Sequence, residues 1–79
     1  MAAVEARFYV SGYQRRSYDP SATEVTMHAV SRGAHNKIWA TATPVGEIKM
    51  VIKNESAATW FTDRLGTEIA VHFSPAPED

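Results

Sequence analysis

The sequence predicts a mainly β fold with a minor α component: a small antiparallel sheet or a partly open barrel that carries one short helix. Three observations predict it. Several stretches alternate apolar and polar residues with the two-residue period of a half-buried strand. A single window, residues 54–65, has apolar residues at helical spacing. Pro and Gly residues interrupt the alternation between these stretches, so the predicted order is β-β-β-β-α-β.

The first two predicted strands lie near the N-terminus. Residues 6–11 alternate apolar and polar side chains until Gly12, which marks a bulge or a bend. Within the polar run at residues 13–22, Asp19-Pro20 predicts a turn, because Pro keeps the preceding residue out of the helical region. The second strand covers residues 24–31. One of its faces carries Val25, Met27 and Ala29, and the other carries Thr26, His28 and Val30.

Two further predicted strands flank a corner that contains Pro and Gly. Gly33, in the break at residues 31–37, is able to adopt a positive φ. Residues 37–42 then alternate, with Trp39 on the polar side. Since Pro has no N–H to donate to a strand pair, Thr43-Pro44 is predicted at a corner or a sheet edge. The next strand covers residues 47–53 and faces the core with Ile48, Met50 and Ile52.

The helix is predicted over residues 54–65 and the last strand over residues 67–74. Asn54 or Ser56 is the predicted N-cap, and Gly66 is the predicted left-handed C-cap. The predicted core-facing stripe of the helix consists of Ala57, Phe61 and Leu65, flanked by Ala58 and Trp60. Residues 75–79 are expected to form an exposed tail.

The composition predicts one domain, residues 1–79, and excludes several functional classes. Eight Lys and Arg against nine Asp and Glu give a net charge of −1, which argues against a nucleic-acid-coating protein. The chain has no Cys, so a disulfide scaffold and a thiolate site are both excluded. The sequence shows neither the pattern of a membrane span nor that of a signal peptide. We therefore expect no membrane partner.

No catalytic, metal or cofactor site is predicted. His28, His35 and His72 belong to three different elements without ligand spacing, and structural, hydrogen-bonded roles are expected for His28 and His72. No nucleophile-elbow pattern orders a serine nucleophile, and no Gly-rich loop is suited to hold phosphate. The expectation is a protein that is not an enzyme.

The candidate binding residues are Arg and aromatic residues together with one corner. Guanidinium groups suit phosphate oxygens, and aromatic rings stack on bases, so the set fits a nucleotide-like ligand. Tyr, Trp and Arg are also enriched in protein–protein hot spots, so the same set fits a protein partner. These partner- or ligand-binding candidates are Tyr9, Tyr13, Arg15, Arg16, Tyr18, Arg32, Trp39, Thr43 and Pro44.

Residues 35–61 and 66–76 resemble a family of small, mostly uncharacterised proteins of tailed bacteriophages and prophages. The resemblance covers the second half of the chain better than the first, and the tail at residues 76–79 and residues 33–37 depart from the family pattern. It implies a bacteriophage origin rather than an activity. The residues that carry it are Asn36, Trp39, Ala42-Thr43-Pro44, Gly46, Ile48, Met50, Ile52, Asn54, Ala57-Ala58, Phe61, Gly66 and Val71-His72-Phe73.

Three functions follow as hypotheses. The first is a non-enzymatic accessory protein of the virion or its assembly, such as a head-decoration or minor structural protein. It would bury Trp39, Tyr9 and the Thr43-Pro44 corner against a phage structural protein or a second copy. The second is a protein of the infected host's cytoplasm that binds and sequesters a nucleotide-like immune signal. The third, a single-stranded nucleic-acid binder, is the weakest because the net charge is close to zero.

Overall fold

The computed structural model describes residues 4–16, 19–33, 36 and 44–77. In these ranges four antiparallel strands form one open sheet, and one short helix packs against it. The elements are β1 (Val4–Arg16), β2 (Asp19–Ala29), β3 (Glu47–Ile52), α1 (Glu55–Thr62) and β4 (Glu68–Phe73). The strand order across the sheet is β3-β2-β1-β4, which confirms the mainly β fold class. The observed order of elements is β-β-β-α-β, and the strand predicted at residues 37–42 lies outside the described residues.

Strand β1 contains a bulge at Gly12 and continues beyond it, so the strand is longer than predicted. The β1–β2 register shifts between Val10 and Gly12, so the predicted bulge is confirmed. After the shift Tyr13 pairs with Val25, which is fully buried on the helix-bearing face of the sheet. The extra residue changes which side chains face the helix, and β1 continues through the polar stretch as far as Arg16.

The turn predicted at Asp19-Pro20 is wrong, because both residues belong to the start of β2. Pro is compatible with the beginning of a strand, where its missing N–H interrupts little of the ladder. The Asp19 carboxylate accepts hydrogen bonds from the Ser21 hydroxyl at 2.6 Å and the Ser21 N–H at 3.2 Å. Its other oxygen lies 3.0 Å from the Lys53 ammonium, so Asp19 connects the start of β2 to the end of β3.

Asp19 gives a pH-dependent prediction. The Ser21 hydroxyl and the Lys53 ammonium lower the pKa of the Asp19 carboxyl below its ordinary value of 3.8. A carboxyl whose pKa is lowered by folding stabilises the fold above its unfolded pKa, and this contribution is lost as the pH falls through the folded pKa. We therefore expect Asp19→Asn to lower the melting temperature at about pH 6 and to have little effect at about pH 2.

Thermal denaturation of the wild type and Asp19→Asn over this pH range measures the effect. Ser21→Ala is the matched variant, since it removes the main hydrogen bond to the carboxylate and leaves the ion pair with Lys53 in place. It should show part of the same pH-dependent loss. A constant difference between wild type and Asp19→Asn at every pH would contradict the role of the charged carboxylate.

The core lies between the sheet and the helix, on the face that the alternation predicts. Its buried residues are Ala6, Phe8, Val10, Val25 and Met27, and the partly buried residues packed against them are Ala29, Ile48, Ile52, Phe61, Ile69 and Val71. The central strands therefore supply this buried cluster. The edge strands supply side chains that are only partly covered, and the helix adds partly buried Phe61 and buried Ala58.

Helix α1 begins as predicted but ends earlier. The Asn54 side-chain oxygen accepts from the Ala57 N–H at 2.9 Å, which confirms Asn54 as the N-cap. The helix ends at Thr62, so Leu65 lies beyond it and is exposed. The predicted stripe through Ala57 and Leu65 is therefore wrong: Ala58 is the buried residue of the helix, and Ala57 is exposed.

Gly66 has the predicted positive φ, at +81°, and Gly33 has one of +75°. Gly66 ends the turn that follows the helix rather than the helix itself, whose C-cap is Asp63. Its N–H donates to the Val10 carbonyl at 2.8 Å and so anchors the start of β4 against β1. A left-handed backbone at this junction favours Gly because a side chain would be strained there.

Asn36 completes the sheet where β2 ends. Its side-chain oxygen accepts from the Arg7 N–H at 2.6 Å, and its amide nitrogen donates to the carbonyls of Arg7 at 2.7 Å and Val30 at 2.8 Å. The side-chain amide thus lies between the backbones of Arg7 and Val30. It takes the place of a direct hydrogen bond from the Arg7 N–H to the Val30 carbonyl. This buried contact holds the chain after β2 against β1.

Candidate functional site

The face of the sheet opposite the helix carries a row of paired charges across β1 and β4. Arg7 lies between two carboxylates, 3.1 Å from Glu5 and 2.9 Å from Glu68. The hydrogen bonds that the Arg7 guanidinium donates to these carboxylates raise its pKa, and the bond to Glu5 has the larger effect. His72 lies 3.6 Å from Glu5. All four side chains are solvent-accessible, so these pairs orient one another but contribute little to stability.

A second polar connection on this face crosses three strands. The Ser11 hydroxyl lies 2.6 Å from Nδ1 of His28, and Nε2 of His28 lies 3.1 Å from the Glu47 carboxylate. With the ring proton on Nε2, the ring donates to Glu47 and accepts from Ser11. Serine, histidine and carboxylate are also the components of a nucleophilic triad. None of the cavities described below includes Ser11, however, and its hydroxyl also lies 3.1 Å from the Thr26 carbonyl. The expected hydrogen-bonded role of His28 fits this geometry.

Two of the predicted binding residues meet in one cavity of about 440 Å³. Tyr9 and Arg32 line it together with Val30, Ser31, Gly66 and Glu68. Glu68 also lines this cavity, and its carboxylate is paired with the Arg7 guanidinium at 2.9 Å. A phosphate-bearing ligand would therefore meet an acidic as well as a basic side chain here.

Arg15 lies in a different cavity, of about 190 Å³, which runs along α1 from Glu55 to Thr62. Its guanidinium donates to the Pro20 carbonyl at 2.9 Å. Tyr13 is exposed on β1, and Arg16 ends that strand. The arginine–aromatic cluster predicted from the sequence is thus divided, with Arg15 and Arg32 in separate cavities. Tyr18, Trp39 and Thr43 lie outside the described residues.

The helix-bearing face has an open apolar groove of about 400 Å³. Val45, the residue after Pro44, borders this groove with 84% of its surface exposed, and Val4 borders it with 49% exposed. Phe8 forms the buried floor. The lining is almost entirely apolar, and the residues of the groove are Val4, Ala6, Phe8, Val45, Gly46, Glu47, Ile48 and Phe73.

A second apolar cavity, of about 320 Å³, shares Ile48 with the apolar groove and reaches the helix at Phe61 and Trp60. The Trp60 ring packs edge-on against Phe61, and the Arg64 guanidinium lies 4.1 Å from its centroid. Trp60 was predicted to pack the helix on the sheet; it lines this cavity together with sheet residues, while 43% of its surface remains exposed. The open apolar surface therefore extends from the groove to the helix.

This surface is open because the helix is short relative to the sheet. Eight helical residues span about 12 Å, whereas a strand of thirteen residues such as β1 spans roughly 40 Å. The sequence contained a signal for this surface, since Ile69, Val71 and Phe73 continue the apolar alternation toward the end of β4, away from the helix. Among the predicted site residues that the structure describes, Pro44 lies next to it in the chain, before Val45.

The described residues contain no group of three or more His, Asp or Glu side chains that is suited to hold a metal ion. The one helix that the structure describes is too short and too polar to cross a membrane. Comparison of the chain with models of protein families, with curated proteins and with solved structures found no match.

Proposed function

We propose that this protein is a non-enzymatic binding protein whose apolar groove receives part of another protein subunit. The observation that carries the proposal is the groove itself, a concave apolar surface with a Phe floor and exposed Val residues at its rim. Apolar patches rimmed by polar residues are typical of protein–protein contacts. A few anchored apolar side chains are enough to supply most of the binding energy of such a contact.

We propose further that the partner is a structural protein of a bacteriophage, and that the chain is a small accessory component of the virion or its assembly. The support is the resemblance of residues 35–61 and 66–76 to phage proteins, together with the small size of the domain. A domain of this size buries only a modest core, so association with a larger assembly adds stability.

The binding of a nucleotide-like ligand is the weaker alternative. It needs arginines that converge on one phosphate, and Arg15 and Arg32 line different cavities. Glu68 lines the same cavity as Arg32. For a single-stranded nucleic acid the near-neutral net charge remains the main objection.

Mass spectrometry of purified particles from the encoding phage tests the proposal. We expect the wild-type chain in the particles, and an occupancy at least about tenfold lower for the double variant Val4→Glu/Val45→Glu. Each introduced carboxylate would be buried against apolar atoms in the complex, and tenfold corresponds to only about 1.4 kcal/mol.

Val51→Glu is the matched control, because Val51 is as exposed as Val4, at 49%, but belongs to the other face of the sheet. It should remain in the particles at wild-type occupancy. Circular dichroism confirms that all variants are folded. A wild-type chain absent from the particles would overturn the virion role, and equal occupancy of the double variant would overturn the role of the groove.

A further inference from the structure

The two edges of the sheet differ in how they are protected against pairing with another strand. β3 is one edge and β4 the other, and neither has a second strand partner among the described residues. β3 carries Lys49, paired with Glu47 at 3.9 Å, and is followed by Lys53. Charged side chains, especially Lys, protect an edge because a second strand would have to desolvate them.

β4 lacks the Lys protection of β3, and its charged residue Glu68 is paired with Arg7 of the neighbouring strand. Its sequence, Glu68–Phe73, contains no Lys, Arg or Pro. Its six residues pair with β1 in an uninterrupted register from Val4↔Phe73 to Tyr9↔Glu68, without a bulge that would twist the edge away. A regular edge of this kind with apolar residues on one face is a template for a further strand.

The hydrogen bonds of β1 show which backbone groups of β4 face outward. Arg7 accepts from the Val30 N–H on the β2 side, while Val10 exchanges hydrogen bonds with Gly66 and Thr67 on the β4 side. Because these directions alternate along a strand, Phe8 and Ala6 also face β4, where they pair with Ile69 and Val71. The outward-facing backbone groups of β4 are therefore those of Glu68, Ala70 and His72.

These three residues are symmetric about Ala70. An antiparallel second copy of β4, related by a twofold axis at Ala70, places Ala70 opposite Ala70 and each Glu68 opposite the partner's His72. All outward N–H and carbonyl groups are then paired, giving about six hydrogen bonds. A shift by two residues toward the C-terminus would instead bring Ser74, which precedes Pro75, opposite Glu68.

The side chains complement each other in the same register. On the polar face, Arg7 and Glu68 of one copy lie in line with His72 and Glu5 of the second copy. Basic and acidic groups therefore alternate across the contact between the two β4 strands. On the apolar face Ile69 lies opposite Val71, which continues the apolar surface from one copy to the next. The small Ala70 side chains permit close approach at the axis.

We propose that two copies of this chain pair through β4, in antiparallel register centred on Ala70, to form one continuous eight-stranded sheet. An isologous contact of this kind closes on itself, and among the four described strands it leaves the Lys-protected β3 edges exposed. The proposal concerns the sheet edge and is independent of what fills the apolar groove.

Sedimentation equilibrium of the purified chain tests the pairing, with an expected mass of twice 8.7 kDa. Ala70→Pro removes an outward N–H at the axis, and Ala70→Lys places like charges opposite each other; both should give the monomer mass. Val51→Pro is the matched control. The Ala29 N–H donates to Gly46, so even-numbered residues of β3 face β2 and Val51 faces outward. This control should keep the dimer mass.

Cross-linking tests the register. The chain has no Cys, and residues opposite each other in a hydrogen-bonded antiparallel pair have Cα atoms about 5.5 Å apart, within disulfide range. Under mild oxidation Ala70→Cys should form a covalent dimer, and Val51→Cys should not. Ala70→Lys provides the loss-of-pairing readout if Ala70→Pro does not fold.

Three outcomes would overturn the proposal. They are a wild-type monomer at millimolar concentration, a dimer that survives Ala70→Lys, and a dimer that Val51→Pro abolishes. A dimer lost in Val4→Glu/Val45→Glu but kept in Ala70→Lys would place the contact in the apolar groove, which also overturns pairing through β4. The particle experiment does not depend on these results, so the two proposals can fail separately.

Discussion

Asn36→Asp is expected to destabilise the protein by about 3 kcal/mol or more at neutral pH. The side chain is only 2% exposed and donates from its amide nitrogen to the carbonyls of Arg7 and Val30. Asp has nearly the same shape, but it replaces this donor with an oxygen that faces two carbonyl oxygens. The substitution therefore removes two hydrogen bonds and introduces a buried charge beside two acceptors.

The loss should depend on pH with a defined sign. Facing carbonyl oxygens in a buried site, the introduced carboxyl has its pKa raised by folding, because its protonated form alone can donate. The destabilisation is therefore full above the raised folded pKa, shrinks as the pH falls from that value toward the unfolded pKa of about 3.9, and is smallest below it. Urea denaturation of wild type and variant at about pH 7 and pH 3 measures the loss of stability with the introduced carboxyl charged and with it protonated.

Asn36→Ala is the comparison that isolates the charge. It removes these two hydrogen bonds, and also the one accepted from the Arg7 N–H, without introducing a carboxylate, and we expect a loss of about 2 kcal/mol that does not change over this pH range. If Asn36→Asp were as stable as wild type at neutral pH, the side-chain amide would not have the structural role described here.

Phe8→Ala is the second large effect, with an expected loss of about 3–5 kcal/mol of the free energy of unfolding. Phe8 is 5% exposed and belongs to the buried cluster with Ala6, Val10, Val25 and Met27. It pairs with Ala29 on one side and Ile69 on the other, so it connects the two halves of the sheet. A domain with about 5–15 kcal/mol of total stability would lose a large share of it.

Phe8→Leu is the matched control, because it keeps most of the volume and should cost less than about 1.5 kcal/mol. Chemical denaturation with a constant m value establishes that the native state rather than the denatured state is affected. A loss below about 1 kcal/mol for Phe8→Ala would show that the floor of the apolar groove collapses onto the vacated space without cost.

The two proposals together give the protein two different contacts, one at the apolar groove and one at the β4 edge. The groove has the form of a receptor for apolar side chains, whereas the edge offers backbone hydrogen bonds in a symmetric register. In the proposed dimer both copies present their grooves on the same face of one sheet, because a twofold axis perpendicular to the sheet preserves its faces. A dimer would thus bind a repetitive partner surface at two points, which raises the overall affinity.

The sequence alone determined the elements whose signals are local. Two-residue alternation identified the buried faces of β2 and β3, and the Asn54 side chain identified the start of the helix, because a strand's pleat and a helix cap each depend on neighbouring residues. Gly12 likewise predicted the bulge in β1. The mainly β fold class followed from the same patterns.

Only the tertiary structure decided the strand order, the polar connections and the open surfaces. The contact between Asn36 and Arg7 joins residues 29 positions apart, and alternation says which face a side chain occupies but not which strand lies beside it. Arg15 and Arg32 are separated because the bulge after Val10 and the end of β2 direct them to different cavities. The apolar groove exists because one helix of eight residues covers less area than the sheet presents, a mismatch of dimensions that no single stretch of sequence contains.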